Sequence, residues 1–132
     1  MKKMNPVVHF ELPAGDRVRM ADFYTKVFGW KSQMFGEEMG NYVTVETTPA
    51  GKDGRPEMPG AINGGLFPVP AGEPAQYPSL VIAVDNINES AADIAKSGGK
   101  VLGEPVMIPG VGMYLSFIDT EGNKLSILQP KM

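Results

Sequence analysis

The stretch VVHFELPAGDRVRMADFYTKVFGWK, Val7 to Lys31, decides the fold. Val7 to Leu12 is rich in β-branched and aromatic residues and is stopped by Pro13, so it is predicted as a strand. The residues that follow are predicted as a helix. Asp16 is placed to cap its start. Val18, Ala21, Tyr24, Val27 and Phe28 recur at helical spacing and define a packing face. Gly29 fits the position just past a helix end. Within the strand stands His9, the only histidine of the chain. Glu11 shares its parity, so both side chains point to one face.

Working outward, the same order of elements occurs twice. KSQMF is predicted as a short strand, and GNYVTVETT alternates, with Val43 and Val45 on one face and Tyr42, Thr44 and Glu46 on the other. PAGKDGRPEMPG is a loop by composition, and AINGGLFPV is a strand weakened by two glycines. PAGEPAQYP reads as a linker. A second strand, SLVIAVDN, then leads to a helix, NESAADIAKSGG, with Asn88 as its expected N-cap. KVLGEPV, GMYLSFID and KLSILQP follow as strands, the last two joined by the turn TEGN. The two halves match in residues as well as in order: Tyr42 with Tyr114, Thr44 with Ser116, Thr48 with Thr120, Leu66 with Leu128 and Pro68 with Pro130. A duplicated β-α-β-β-β unit is the organisation predicted, as one domain over residues 1–132 with modules at about 5–70 and 78–130.

The 132 residues are 42% hydrophobic, enough for a core, and include no cysteine. That excludes a disulfide framework, a thiolate metal site and a cysteine nucleophile. A net charge of −3 with scattered basic residues argues against a nucleic-acid partner. No apolar run reaches the roughly 20 residues needed to span a membrane. No apolar region follows Met1-Lys2-Lys3, so no signal peptide is read. A cytoplasmic location is the expectation. Sixteen glycines and twelve prolines suit short strands and many turns.

Three stretches resemble the vicinal oxygen chelate superfamily of glyoxalase I, extradiol dioxygenases, methylmalonyl-CoA epimerase and the bleomycin- and fosfomycin-resistance proteins. They are VHFELPAGDRVRMADFYTKVFGW, VIAVDNINESAADIAKSGGKV and DTEGNKLSILQP. INGGLFPVP looks most like the small glyoxalase-like members of that superfamily. The resemblance implies an α+β fold in which two βαβββ modules form a curved eight-stranded mixed sheet around a cup, with helices on the convex side. It also implies a homodimer. In metal-dependent members the first and fourth strands of each module supply His, Glu or Gln ligands. Carried across residue by residue, the first-strand positions are His9 and Ser79, the latter give or take one. The fourth-strand positions are Ser126 and Gly64, or Asn63 with a slip.

Serine, glycine and asparagine are weak substitutes for imidazole or carboxylate at a divalent metal. No metal or other cofactor is therefore expected, and a divalent metal is the alternative. His9, Glu11 and Glu46 form the catalytic candidates. As a cluster they would bind metal in a non-standard way or act as acid–base machinery, in which Glu orients the imidazole and raises its pKa; otherwise they are a polar lining. Tyr42, Thr44, Asn63, Phe67, Tyr114, Ser116 and Ser126 are the ligand-binding candidates. The functional expectation is a glyoxalase/bleomycin-resistance-like protein that binds a small organic molecule in the cup. The alternative is a divalent-metal-dependent lyase, isomerase or dioxygenase, resembling lactoylglutathione lyase. Trp30 is expected to pack, Met34, Phe35 and Met39 to form an apolar lip or contact, and Asp119 to Asn123 to form a hairpin turn.

Overall fold

The computed structural model describes residues 3–70 and 77–131. The chain divides into two compact units, one of His9–Pro78 and one of Ser79–Met132 with Met1–Val8. The predicted linker falls largely at 71–76, outside the described residues.

The first unit is built from β1 (Val7–Ala14, whose first two residues belong to the other unit), α1 (Arg17–Phe28), β2 (Lys31–Met34), β3 (Val43–Glu46) and β4 (Gly64–Pro68). Its strands lie in the order β2-β3-β4-β1, with β1 parallel to β4 and the other pairs antiparallel. The second unit repeats the plan with β5 (Ser79–Ala83), α2 (Ile87–Lys96), β6 (Lys100–Ile108), β7 (Gly112–Ile118) and β8 (Lys124–Pro130). Its order is β6-β7-β8-β5, and β5 is parallel to β8. Parallel and antiparallel pairs mix within each unit, and this is the α+β class read from the sequence.

Each unit has its own core. In the first, Ala14, Ala21, Val43, Val45 and Leu66 are buried, with Phe10, Leu12, Met20 and Trp30 packed against them. In the second, Val84, Ile87, Leu115, Phe117 and Ile127 take that role. Strand alternation explains the selection: Val43 and Leu66 face each other across β3 and β4, and both are 0% exposed.

The α1 helix begins at Asp16, whose side chain accepts from the Arg19 N–H, and ends at Gly29 with φ 73°, as its sequence dictates. Its packing face differs from the expected one. Ala21 is buried and Met20 packs beside it, while Val18 (61% exposed), Val27 and Phe28 (62%) face outward. Helical spacing identifies a stripe of apolar residues, but Met20 beside Ala21 is what meets the strands. Trp30 stacks on Tyr24 with ring centroids 4.6 Å apart, which fixes the helix end. The α2 cap also differs: Asn86, not Asn88, is the N-cap and accepts from the Glu89 N–H at 3.0 Å. Asn86 has the extended backbone a cap requires, whereas Asn88 is already helical. At the hairpin, Asp119 accepts from the backbone N–H groups of Glu121 and Asn123, which hold its carboxyl below the usual carboxylate range together with the Asn123 side chain.

Truncating Leu66 to Ala should cost about 3 kcal/mol, because a side chain with no exposure leaves a cavity that its neighbours cannot fill. Urea denaturation of Leu66→Ala beside wild type checks this; a loss below about 1 kcal/mol would mean that the core closes over the gap.

Candidate functional site

Alternation along β1 sends Phe10 and Leu12 to the core and leaves His9 and Glu11 on the opposite face. In β3 the core takes Val43 and Val45, so Tyr42 and Thr44 share the face of His9 and Glu11. The parallel register places Glu11 against Gly65, and β3 places Thr44 against the same glycine. A Cβ built on Gly65 would overlap the Tyr42 phenol. The phenol therefore lies across β4 in the space that any other residue at 65 would fill.

Lying there, the Tyr42 hydroxyl reaches two groups of β1. It donates to Glu11 Oε2 at 2.9 Å and stands 2.8 Å from His9 Nε2. A phenol has one hydrogen. With that hydrogen given to Glu11, the second bond needs His9 as donor, so His9 is the Nε2–H tautomer. Burial pulls the His9 pKa below its ordinary value, and the negative charge of Glu11 opposes that pull without overcoming it. The sequence reading had Glu raising this pKa; desolvation outweighs it, and the imidazole is neutral at pH 7.

Glu46 does not join His9 and Glu11 in a group that could hold a metal ion. Among the described residues no three of His, Cys, Asp and Glu gather closely enough to hold a metal ion. Asn63 is committed to the backbone: its Oδ1 accepts from Thr47 N–H at 2.7 Å, from the Thr47 hydroxyl and from Thr48 N–H, closing the loop before β4. Phe67 pairs with Pro13 at the far end of β4. An opening of this unit, about 400 Å³ and lined by Gly15, Arg19, Met20 and Phe23 among others, lies along α1 and touches none of the candidate residues.

The second unit carries hydroxyl groups where the first carries ionisable ones. Ser126, 2% exposed, donates to the Tyr114 hydroxyl at 2.7 Å and lies 3.1 Å from the Ser116 hydroxyl. Ser79 donates to the Lys124 carbonyl at 2.9 Å. Register settles which positions correspond. Ser126 pairs with Val81 and Ser116; Gly65 pairs with Glu11 and Thr44. Ser79 lies two residues before Val81, as His9 lies two before Glu11, so Ser79 is the counterpart of His9. The counterpart of Ser126 is Gly65, which replaces Gly64 and Asn63. Gly64 faces Phe10 and the core. The expected match of Leu66 with Leu128 slips by one residue: Leu66 and Ile127 are the core residues, and a one-residue slip in a strand exchanges its faces. Gly65 is the site residue that the sequence reading missed; the pair of glycines inside a strand was its signal.

By register, the positions that the resemblance assigns to ligands correspond to His9 and Gly65 in the first unit and to Ser79 and Ser126 in the second. In the first unit, one imidazole bonded to a phenol and no side chain at 65 are a poor donor set for a divalent metal; in the second, Ser79 and Ser126 offer only neutral hydroxyls.

The sequence pattern of the family described as Glyoxalase/Bleomycin resistance protein/Dioxygenase superfamily matches residues 7–127. The chain is 32% identical over 120 residues to a glyoxylase-like domain-containing protein of Didymella fabae, covering 89% of this chain and 88% of that one. It is 28% identical over 131 residues to the lactoylglutathione lyase of Escherichia coli O157:H7, covering 95% and 93%. A crystal structure of methylmalonyl-CoA epimerase superposes with a TM-score of 0.72 over 100% of both chains at 14% identity, a likeness of fold.

Two outcomes follow from this geometry. Gly65→Ala should destabilise the protein by about 1–3 kcal/mol, since the methyl group must displace the phenol; a melting temperature equal to wild type would show that the phenol moves freely. His9 should also make stability depend on pH. Below about pH 6.5 the unfolded imidazole binds a proton that the folded one refuses, so stability falls as pH drops from there to the lower folded pKa. Urea midpoints between pH 7.5 and 5 should fall less steeply in His9→Gln than in wild type; equal slopes would count against a buried, neutral His9.

Proposed function

Since the chain belongs to the Glyoxalase/Bleomycin resistance protein/Dioxygenase superfamily, we propose that it binds a small organic molecule through hydrogen-bonding side chains and without the divalent metal that the superfamily commonly uses. The observation that carries this reading is the bonded set His9–Tyr42–Glu11 of the first unit, beside Gly65, which offers no ligand. The hydroxyl and imidazole of this set can offer or accept a hydrogen bond, and Tyr42 adds flat apolar surface. Such a lining suits a small polar or aromatic molecule and gives weak purchase to a hard cation. A homodimer acting in the cytoplasm is part of the same reading.

A divalent-metal-dependent lyase or isomerase is the second reading. The likeness to lactoylglutathione lyase along nearly the full length of both chains favours it; the donor set opposes it.

Elemental mass spectrometry of untagged protein separates the two, before and after incubation with zinc, nickel, manganese or iron(II). The binding reading expects metal well below one equivalent and no change in His9→Ala. It also expects saturable binding of at least one compound from a library of small polar and aromatic molecules, followed by thermal shift, with affinity reduced about tenfold or more in His9→Ala. Stoichiometric metal that is lost in His9→Ala would overturn it in favour of the lyase or isomerase.

A further inference from the structure

The place where a fourth-strand donor would stand in the first unit is not empty space. Gly65 supplies no side chain, and the Tyr42 phenol fills the volume. Its hydroxyl then takes up Nε2 of His9 and a carboxylate oxygen of Glu11 together. The other imidazole nitrogen, Nδ1, makes no hydrogen bond to a described residue and is not a buried orphan. In the Nε2–H tautomer it carries the ring's lone pair. In the second unit Tyr114 is tied to Ser126, and Ser126 to Ser116, and no imidazole stands there, since His9 is the chain's only histidine.

We propose that Tyr42, seated in the slot left open by Gly65, joins His9 to Glu11 as a proton relay whose open end is Nδ1 of His9, making that nitrogen the proton acceptor for a small organic substrate with an acidic C–H or O–H group. This rests on the reading that a small molecule binds at this face.

The step balances without a metal or redox partner. The substrate C–H or O–H bond breaks and its electron pair stays on the substrate. The proton forms a bond to Nδ1. The Nε2 proton passes to the Tyr42 oxygen as the Tyr42 proton passes to Glu11. His9 ends neutral in the Nδ1–H tautomer, and the negative charge of Glu11 has moved to the substrate. Reversal returns the proton. His9 alone meets the substrate; Tyr42, Glu11 and Gly65 are positioning residues that fix which nitrogen is open.

The only histidine of the chain makes the test direct. Full-length protein labelled with nitrogen-15 reports the tautomer of His9 by two-dimensional NMR at pH 7.5. Wild type should be the Nε2–H form without a measurable Nδ1–H fraction, and Tyr42→Phe, which keeps the ring and removes the hydroxyl, should shift toward the tautomer mixture of free histidine, in which Nε2–H is the majority form. A wild-type Nδ1–H form, or a tautomer ratio unchanged in Tyr42→Phe, overturns the relay. Base strength is read from deuterium uptake by nitroethane in heavy water, a second-order rate that needs no binding site. Wild type should exceed His9→Gln by about tenfold or more, with Tyr42→Phe in between; a wild-type rate equal to that of His9→Gln overturns the assignment of His9 as acceptor. Failure of the binding reading is seen separately, as a compound library without a saturable ligand while the tautomer result stands.

Discussion

In each unit the first strand lies parallel to the fourth, and a parallel pair cannot be closed by a tight turn. The chain between them must travel out along a helix, back through two antiparallel strands and only then return. That single pairing determines what the site can contain. It sets Glu11, near the start of the chain, beside Gly65, more than fifty residues later. It also puts β4 between β1 and β3, so a side chain from the edge of β3 must cross β4 to touch β1. Tyr42 makes that crossing, and Gly65 is what lets it pass. The hydrogen bonds to His9 and Glu11 are a product of topology before they are a matter of chemistry.

The duplication shows how one scaffold can keep its pairing and change its lining. Both units place a tyrosine just before or within the third strand, and both tie its hydroxyl to another strand, β1 across β4 in the first unit and the adjacent β8 in the second. In the first unit the partners are an imidazole and a carboxylate on the first strand. In the second the tyrosine meets Ser126 on the fourth strand, which in turn lies beside Ser116. The lining of the first unit includes a carboxylate and an imidazole; that of the second is built on hydroxyl groups. Burial sharpens the difference, because it holds the one imidazole neutral against the pull of the nearby carboxylate.

Much of this was legible in the sequence. The alternation of GNYVTVETT identified the core valines and, by exclusion, the outward face of Tyr42 and Thr44. Asp16 and Gly29 marked both ends of α1. Where the reading failed, the information was not local. Val18, Val27 and Phe28 satisfy helical spacing as well as Met20 and Ala21 do, and only the packed strands decide between them. Asn86 and Asn88 are equally good caps by residue type. The slip from Gly65 to Gly64 has the same origin: LFP and ILQP align by their leucines and prolines, while the core selects Leu66 and Ile127. Nothing in the residues alone says that the volume missing at a glycine is taken by a tyrosine more than twenty positions away.

That shared volume has a consequence for descent. A carboxylate cannot be gained at position 65 while the phenol of Tyr42 lies over it, and loss of the phenol leaves a gap above a bare backbone. Exchange between this lining and one with a donor on the fourth strand takes two substitutions. The large-to-small change at 42 must come before the small-to-large change at 65, and the intermediate lacks both the hydroxyl and the carboxylate. The pair Tyr42–Gly65 therefore acts as an evolutionary latch: each residue makes the other costly to replace alone.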